Sequence, residues 1–536
     1  MATPTEVKHV PALFSARRVI TLLSSIVVAL SSGTNYIFSA YAPQLGARLH
    51  ISHTQLNVVG LAGNAGVSIS GPIWGRIVDF RGAQIPLTGA FVFSLAGYAG
   101  MKRMYDEGTD SGTSVSPARF LLLVICSLLT GLGAHAGVTA AVNITAKSFP
   151  ESAHATTTGL VLSGFGLSAF FFSTVAHILF PGDTSAFLLL LSLATSIPML
   201  IALFVMRPVP LPQTHAGLKD DRNGEYELIS TTEVVPFIAD ANVDAVGVAG
   251  DSHVSLMDIQ PEDGLSSALE TDRIHSHLRP DNLPDVHGKL LWKTPDFYLL
   301  CMILLLLGGT GVMYINNVGL ISLALFAKSN PNYEEEEASK LQAAQVSTLS
   351  VGNFAGRILI GLISDFARTK FHLPRVYSLC IVSSLFIISQ AFAIGISSVG
   401  TLWMATAILG FAYGSLFGGL PAIAIDWFGL AHLSENLGYL SLAPLVGGNV
   451  FSIIFGRNLD AHTPRENTNT TIGATRAMST ADRAVYRDVL AERRCFTGRD
   501  CYVSSLKVTL VACMVALGLS TLAARRDKYR QKTRKG

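Results

Sequence analysis

The chain has 536 residues, 49% of them apolar and only 14% charged, with 48 glycines, a formal net charge of +2 and a mean hydropathy of +0.43. Soluble domains carry about a quarter charged residues, and uncharged apolar runs of about 20 residues recur here, which excludes a cytosolic enzyme and the fibrous, collagenous and disordered classes. A membrane β-barrel would show shorter segments of alternating polarity, whereas these runs are solid, so an all-α membrane bundle remains.

In chain order the predicted spans lie near 19–42, 55–78, 84–101, 119–144, 156–180 and 185–206, then near 297–326, 342–364, 374–397, 400–425, 436–456 and 504–524. Twelve transmembrane helices in two six-helix pseudo-symmetric halves are therefore expected. The organisation reads as an N-terminal segment 1–18, a first half 19–206, a linker 207–294, a second half 295–524 and a tail 525–536. The linker holds 15 acidic residues against 7 Lys and Arg and is too polar to build a core, so it is read as a disordered cytoplasmic tether. A second long loop, 458–503, joins the last two spans.

Basic residues in short loops stay on the cytoplasmic side. Arg17 and Arg18 precede the first span, Arg76 and Arg81 flank the 2–3 loop, Arg368, Lys370 and Arg375 fill the 8–9 loop, and the tail from Arg525 to Lys535 is strongly basic. Both termini are thus expected in the cytoplasm and loop 458–503 outside it. The first span is too long for a signal-peptide core and is read as a retained helix. Cys495 and Cys501 share the outer loop and are a disulfide candidate; Asn469, in Asn469-Thr470-Thr471, is a glycosylation candidate.

Two halves invite a search for self-similarity. The second span ends in Gly75-Arg76-Ile77-Val78-Asp79-Phe80-Arg81-Gly82, and the eighth, its counterpart, in Gly361-Leu362-Ile363-Ser364-Asp365-Phe366-Ala367-Arg368. Both contain Gly-x-x-x-Asp-Phe. The glycine lets a neighbouring backbone approach. The aspartate, one turn on, can accept charge-assisted hydrogen bonds from Arg76, Arg81 or an adjacent helix N-terminus. Gly75, Arg76, Asp79, Arg81, Gly82, Gly361, Asp365 and Arg368 are read as a conformational latch.

This paired motif resembles the loop 2–3 and loop 8–9 signature of the major facilitator superfamily, whose members have twelve helices in two halves and move solutes by alternating access. The second copy departs from the pattern, with Arg368 where the first has Gly82, and a looser latch is expected there. More narrowly, Ser148-Phe149-Pro150-Glu151 and the stretch Gly159-Leu160-Val161-Leu162-Ser163-Gly164-Phe165-Gly166 look like the nodulin-like branch. Tyr314-Ile315-Asn316-Asn317-Val318-Gly319 and Tyr413-Gly414-Ser415-Leu416-Phe417 look like its fungal relatives, which are grouped with monocarboxylate transporters by sequence. That likeness implies the vacuolar membrane first and the plasma membrane second.

Polar side chains inside a span are costly unless paired or hydrated, so each is a pathway candidate. Asn353 and Arg357 on the eighth span resemble the Asp-x-x-x-Arg segment of monocarboxylate transporters, whose arginine handles the anion. Here the acidic partner is Asn353, which carries no proton. Asn35 and Tyr36 on the first span and Tyr314, Asn316 and Asn317 on the seventh follow glycine breaks on symmetry-related helices, where transporter sites commonly form. His135 and Asn143 on the fourth span complete the cavity candidates. Asp426 reads as a rim charge.

No phosphate-binding loop, metal motif or nucleophilic constellation is present, so an ATP-driven pump and an enzyme are not expected. The reading is a secondary active or facilitative transporter of a small organic solute working by alternating access. A proton-coupled monocarboxylate symporter is one alternative, and a non-transporting sensor or scaffold signalling through linker 207–294 is another. The expected partners are a small-molecule solute, protons and the lipid bilayer; no cofactor, metal or nucleic acid is expected, and the chain is read as a monomer.

Overall fold

The computed structural model describes residues 15–51, 53–108, 115–180, 183–209, 284–329, 335–462 and 497–535. Asn469, Cys495 and nearly all of the acidic linker lie outside them. Helices dominate the described residues, which contain no strand. The first span is α1 (Ala16–Ser32), a 3-10 turn at Thr34–Ile37 and α2 (Phe38–Leu49). The second is α3 (His53–Ile69) and α4 (Gly71–Arg81), and the third to sixth are α5 (Gln84–Glu107), α6 (Pro117–Ser148), α7 (His154–Leu179) and α8 (Thr184–Val205). After a short α9 (Gly288–Lys293) come α10 (Pro295–Ser329), α11 (Glu335–Phe371), α12 (Tyr377–Gly395) and α13 (Leu402–Phe428). The eleventh span is α14 (Leu433–Leu440) with α15 (Leu442–His462), and the twelfth is α16 (Val503–Lys535).

Local sequence sets these boundaries. Ser15 and Ser116 accept backbone N–H bonds at the starts of α1 and α6, and Asp183 does the same for α8, each satisfying a donor that the first helical turn leaves open. The first span breaks at Gly33, where the chain lies against α7 and only glycine fits: a Cβ there would come within 2.5 Å of the Phe165 carbonyl. Gly82, exposed at φ +80°, ends α4 in the left-handed region that favours glycine.

Among the described residues, ten helices are long and apolar enough to cross a membrane. The rods α3–α4 and α5 fall short of that mark because polar residues and, in α5, a charged end dilute them. Many helices overrun their predicted spans: α11 extends to Phe371 and α16 to Lys535. Hydropathy marks only the part of a helix that meets hydrocarbon, and hydrogen bonding carries the rod further into water. The basic tail is thus the end of α16, where Arg526 pairs with the buried Asp296 at 3.1 Å. Each half has its own apolar core, and side chains such as Leu23, Ile73, Phe204 and Ile453 stay exposed around the outside, as lipid-facing residues do.

Candidate functional site: an inter-half latch and a buried arginine

At one end of the bundle the two halves meet through glycine. A Cβ on Gly75 would run into the Ser434 carbonyl, and one on Gly71 would come within 2.7 Å of the Ser441 hydroxyl. In the related position a Cβ on Gly361 would come within 2.5 Å of the Ala155 carbonyl. So α4 lies on α14 and α11 lies on α7 at backbone distance. Gly75→Ala is accordingly expected to push α4 from α14. The check is the labelling rate of a cysteine placed at Ser441, which should rise severalfold; an unchanged rate would mean that the contact does not hold this end shut.

The close approach brings each aspartate to a helix N-terminus in the opposite half. Asp79 accepts from the Glu435 backbone N–H at 2.8 Å and from Asn143 Nδ2 at 2.7 Å, and Asn143 also reaches the Ser434 hydroxyl at 2.7 Å. Asp365 accepts from the Thr156 N–H at 2.7 Å and the Ala155 N–H at 3.4 Å. Unpaired N–H groups and the positive end of the helix dipole make these natural carboxylate seats.

Four expectations need correction here. Arg76 and Arg81 do not hold Asp79: both are exposed, and Arg76 lies over the Phe80 ring, 5.7 Å from its centroid. The helix terminus offers fixed donors without ordering a long side chain. Asn143 belongs to the latch, because its amide lies between Asp79 and Ser434 rather than facing a cavity. The second copy is also the more heavily tied of the two. Arg368 donates to Asp426 at 2.6 Å and pairs with Glu151 across the halves. Arg375, fully buried, bridges Asp365 at 3.0 Å and Asp426 at 2.7 Å and donates to the Glu151 carbonyl. Asp426 is therefore the hub of this cluster and not a solvated rim charge. Arg375 was read only as a mark of topology; its clue was a basic residue one loop beyond the motif.

About 12 Å inward from Asp365, two turns of helix, Arg357 is 4% exposed. Its Nε donates to Asn353 Oδ1 at 2.9 Å and its Nη1 to the Leu162 carbonyl at 2.7 Å, while its guanidinium lies 5.4 Å from the Phe165 ring centroid. Tyr36 meets Phe165 edge-on at 5.8 Å, and its hydroxyl lies beside that of Tyr413. Among the described residues no carboxylate pairs with Arg357, and Nη2 has no acceptor. First, fifth, eighth and tenth spans thus converge on one buried cation ringed by aromatics. Phe165 and Tyr413 were not foreseen as site residues, since an aromatic in an apolar run looks like packing.

The other cavity candidates divide. Asn35 accepts from Thr130 at 3.0 Å and leaves its Nδ2 buried without a partner. Asn316 is exposed, whereas Asn317 donates to the Met313 carbonyl of its own helix at 2.7 Å. Tyr314 is buried against Thr406, at 3.1 Å, and ties helices together. His135 is half-buried on α6. Cys501 is disulfide-bonded, but Cys495, the expected partner, lies outside the described residues.

Comparison with known proteins follows the same lines. The sequence model described as Major Facilitator Superfamily matches residues 24–452. An uncharacterized membrane protein of Saccharomyces cerevisiae is 27% identical over 492 residues, covering 83% of this chain and 87% of its own length. A probable transporter of Gibberella zeae, MCH1, is 25% identical over 483 residues, with 82% and 80% coverage. Among solved structures, a bacterial homologue of the iron transporter ferroportin in an outward-facing state superposes with a TM-score of 0.53 at 13% identity, over 94% of this chain and 98% of that one.

Proposed function

Because the chain belongs to the major facilitator superfamily and is a membrane transporter rather than an enzyme, we propose that it carries a small organic anion by alternating access, with Arg357 as the anion-handling residue. The observation that supports this is a buried guanidinium with no carboxylate partner among the described residues. A buried charge is retained only where something repays its desolvation, and a carboxylate arriving beside Phe165, Tyr36 and Tyr413 does so. The two aspartate latches close the motif end beneath it. With the motif end in the cytoplasm, as the loop arginines suggest, this state is closed toward the cytoplasm. The vacuolar membrane of a fungal cell is the proposed location, supported by the sequence likeness to fungal relatives and tested by imaging a fluorescent fusion.

Uptake into proteoliposomes tests the reading: pooled monocarboxylates, dicarboxylates and amino acids are offered with and without a pH gradient. Flux of an anion pool above that of neutral solutes supports it. No flux from correctly oriented, folded protein would leave the sensor alternative.

The amide at Asn353 bears on coupling. Its Oδ1 already accepts from Arg357, so the pair has no proton to exchange. Asn353→Asp would place an ionised carboxylate against the guanidinium at neutral pH and compete with the solute; protonation at low pH would remove that competition. Uptake by the variant is therefore expected to fall at neutral pH and recover on acidification, while the unaltered protein shows no such dependence through this pair. A pH profile unchanged by the substitution would remove Asn353 from the site.

A further inference from the structure

A second cluster lies just behind the latch. The chain re-enters the described structure at Pro284 and runs extended to His287, whose φ and ψ are −149° and 171°. It is bolted to the turn between the tenth and eleventh spans: the Val286 N–H donates to the Phe428 carbonyl at 2.9 Å, and Asn436 Nδ2 donates to the Val286 carbonyl at 2.9 Å. Gly429, at φ +96°, is needed at the crossing, since a Cβ there would run into the Pro284 carbonyl. In an extended strand alternate side chains share a face. Val286 therefore packs on the core, while Asp285 and His287 turn together toward His432 on the turn.

The three groups converge. His287 Nδ1 and His432 Nδ1 each lie 3.2 Å from the same Asp285 Oδ1, and the two imidazoles are stacked, 3.6 Å between centroids. One ligand atom from each residue falls within a 4.8 Å cluster. Tetrahedral zinc with bonds of about 2.1 Å sets its ligands about 3.4 Å apart, so the spacing fits. Parallel rings do not both aim at one ion, and the adjustment falls to His287, whose side chain is 42% exposed against 16% for His432.

We propose that Asp285, His287 and His432 form a binding site for a divalent transition metal, with open positions left for water. Two imidazoles and one carboxylate suit zinc, copper, nickel or iron, whereas magnesium and calcium prefer all-oxygen sets. The metal pins the end of the linker to the turn that begins α14, whose third residue, Glu435, supplies the N–H that holds Asp79. The His432 ring also meets Phe80 of the other half edge-on at 5.5 Å. Sequence motifs did not expose the site because its ligands stand 145 residues apart in the chain, as Asp-x-His and a lone histidine.

The test is a zinc titration of the purified full-length protein, with any affinity tag removed, followed by calorimetry and by thermal unfolding. The chain has 14 histidines, so His287→Ala, which touches neither latch nor core, is the matched control. The expected result is one zinc equivalent that is weakened at least about tenfold in His287→Ala and in Asp285→Asn, a zinc-induced rise in Tm that both variants lose, and no such response to magnesium. Superposable zinc isotherms and equal Tm shifts for the unaltered protein and His287→Ala would overturn the proposal, as would the absence of any tight equivalent in the unaltered protein.

Discussion

Arg375→Met is expected to destabilise the protein by about 3 kcal/mol, whereas Arg368→Met, in the same ionic cluster, should cost under about 1 kcal/mol. The difference is burial. The Arg375 side chain is fully covered, with Asp365 and Asp426 at its two ends only 8% and 12% exposed. Methionine fills its volume but leaves two nearly buried carboxylates facing one another and the Glu151 carbonyl without its donor. Asp365 keeps the α7 N–H groups and Asp426 keeps Arg368, which holds the cost to the low end for a broken buried network. Arg368 is 31% exposed and its partner Glu151 48%, so water replaces most of what it gives. Thermal unfolding of both variants in one detergent is the check, and equal losses would mean that the cluster is solvated throughout. Because Glu151 belongs to the first half and Arg375 to the second, cysteine labelling at this end should also accelerate in Arg375→Met.

The fold was largely legible because its two strongest signals are periodic or repeated: apolar runs of membrane length, and a motif occurring twice at equivalent places. The latch was half legible. Its aspartates and glycines are the motif, but the groups they bind are the backbone N–H groups of Thr156 and Glu435, and a backbone donor leaves no mark in residue identity. Asn143 was noticed for its polarity and assigned to the wrong place, since sequence gives a residue's span but not the level at which a distant helix crosses it. Arg375 and Asp426 were hidden by the reverse effect: charges near a loop look like topology signals until packing shows them dry. Arg357 was visible because a cation inside an apolar run is costly. The ring around it was not, because Phe165 and Tyr413 are as common in packed cores as in sites.

That cation gives the sharpest functional expectation. Arg357→Gln should reduce uptake of anionic solutes at least about a hundredfold, equivalent to about 2.7 kcal/mol of lost binding in the desolvated pathway. It should leave the fold intact, for the neutral amide removes a buried charge with no carboxylate partner instead of stranding one, so Tm should stay level or rise. Arg357→Lys separates charge from geometry. A lysine keeps the positive charge but lacks the planar fork that serves Asn353 Oδ1 and the Leu162 carbonyl while leaving Nη2 for a ligand. It is expected to retain part of the uptake with a raised KM. Full uptake by Arg357→Gln would remove the anion from the proposal and return Arg357 to the role of a strut between α11 and α7. Loss of uptake with a collapsed Tm would point the same way, because a strut is needed for folding and an anion seat is not.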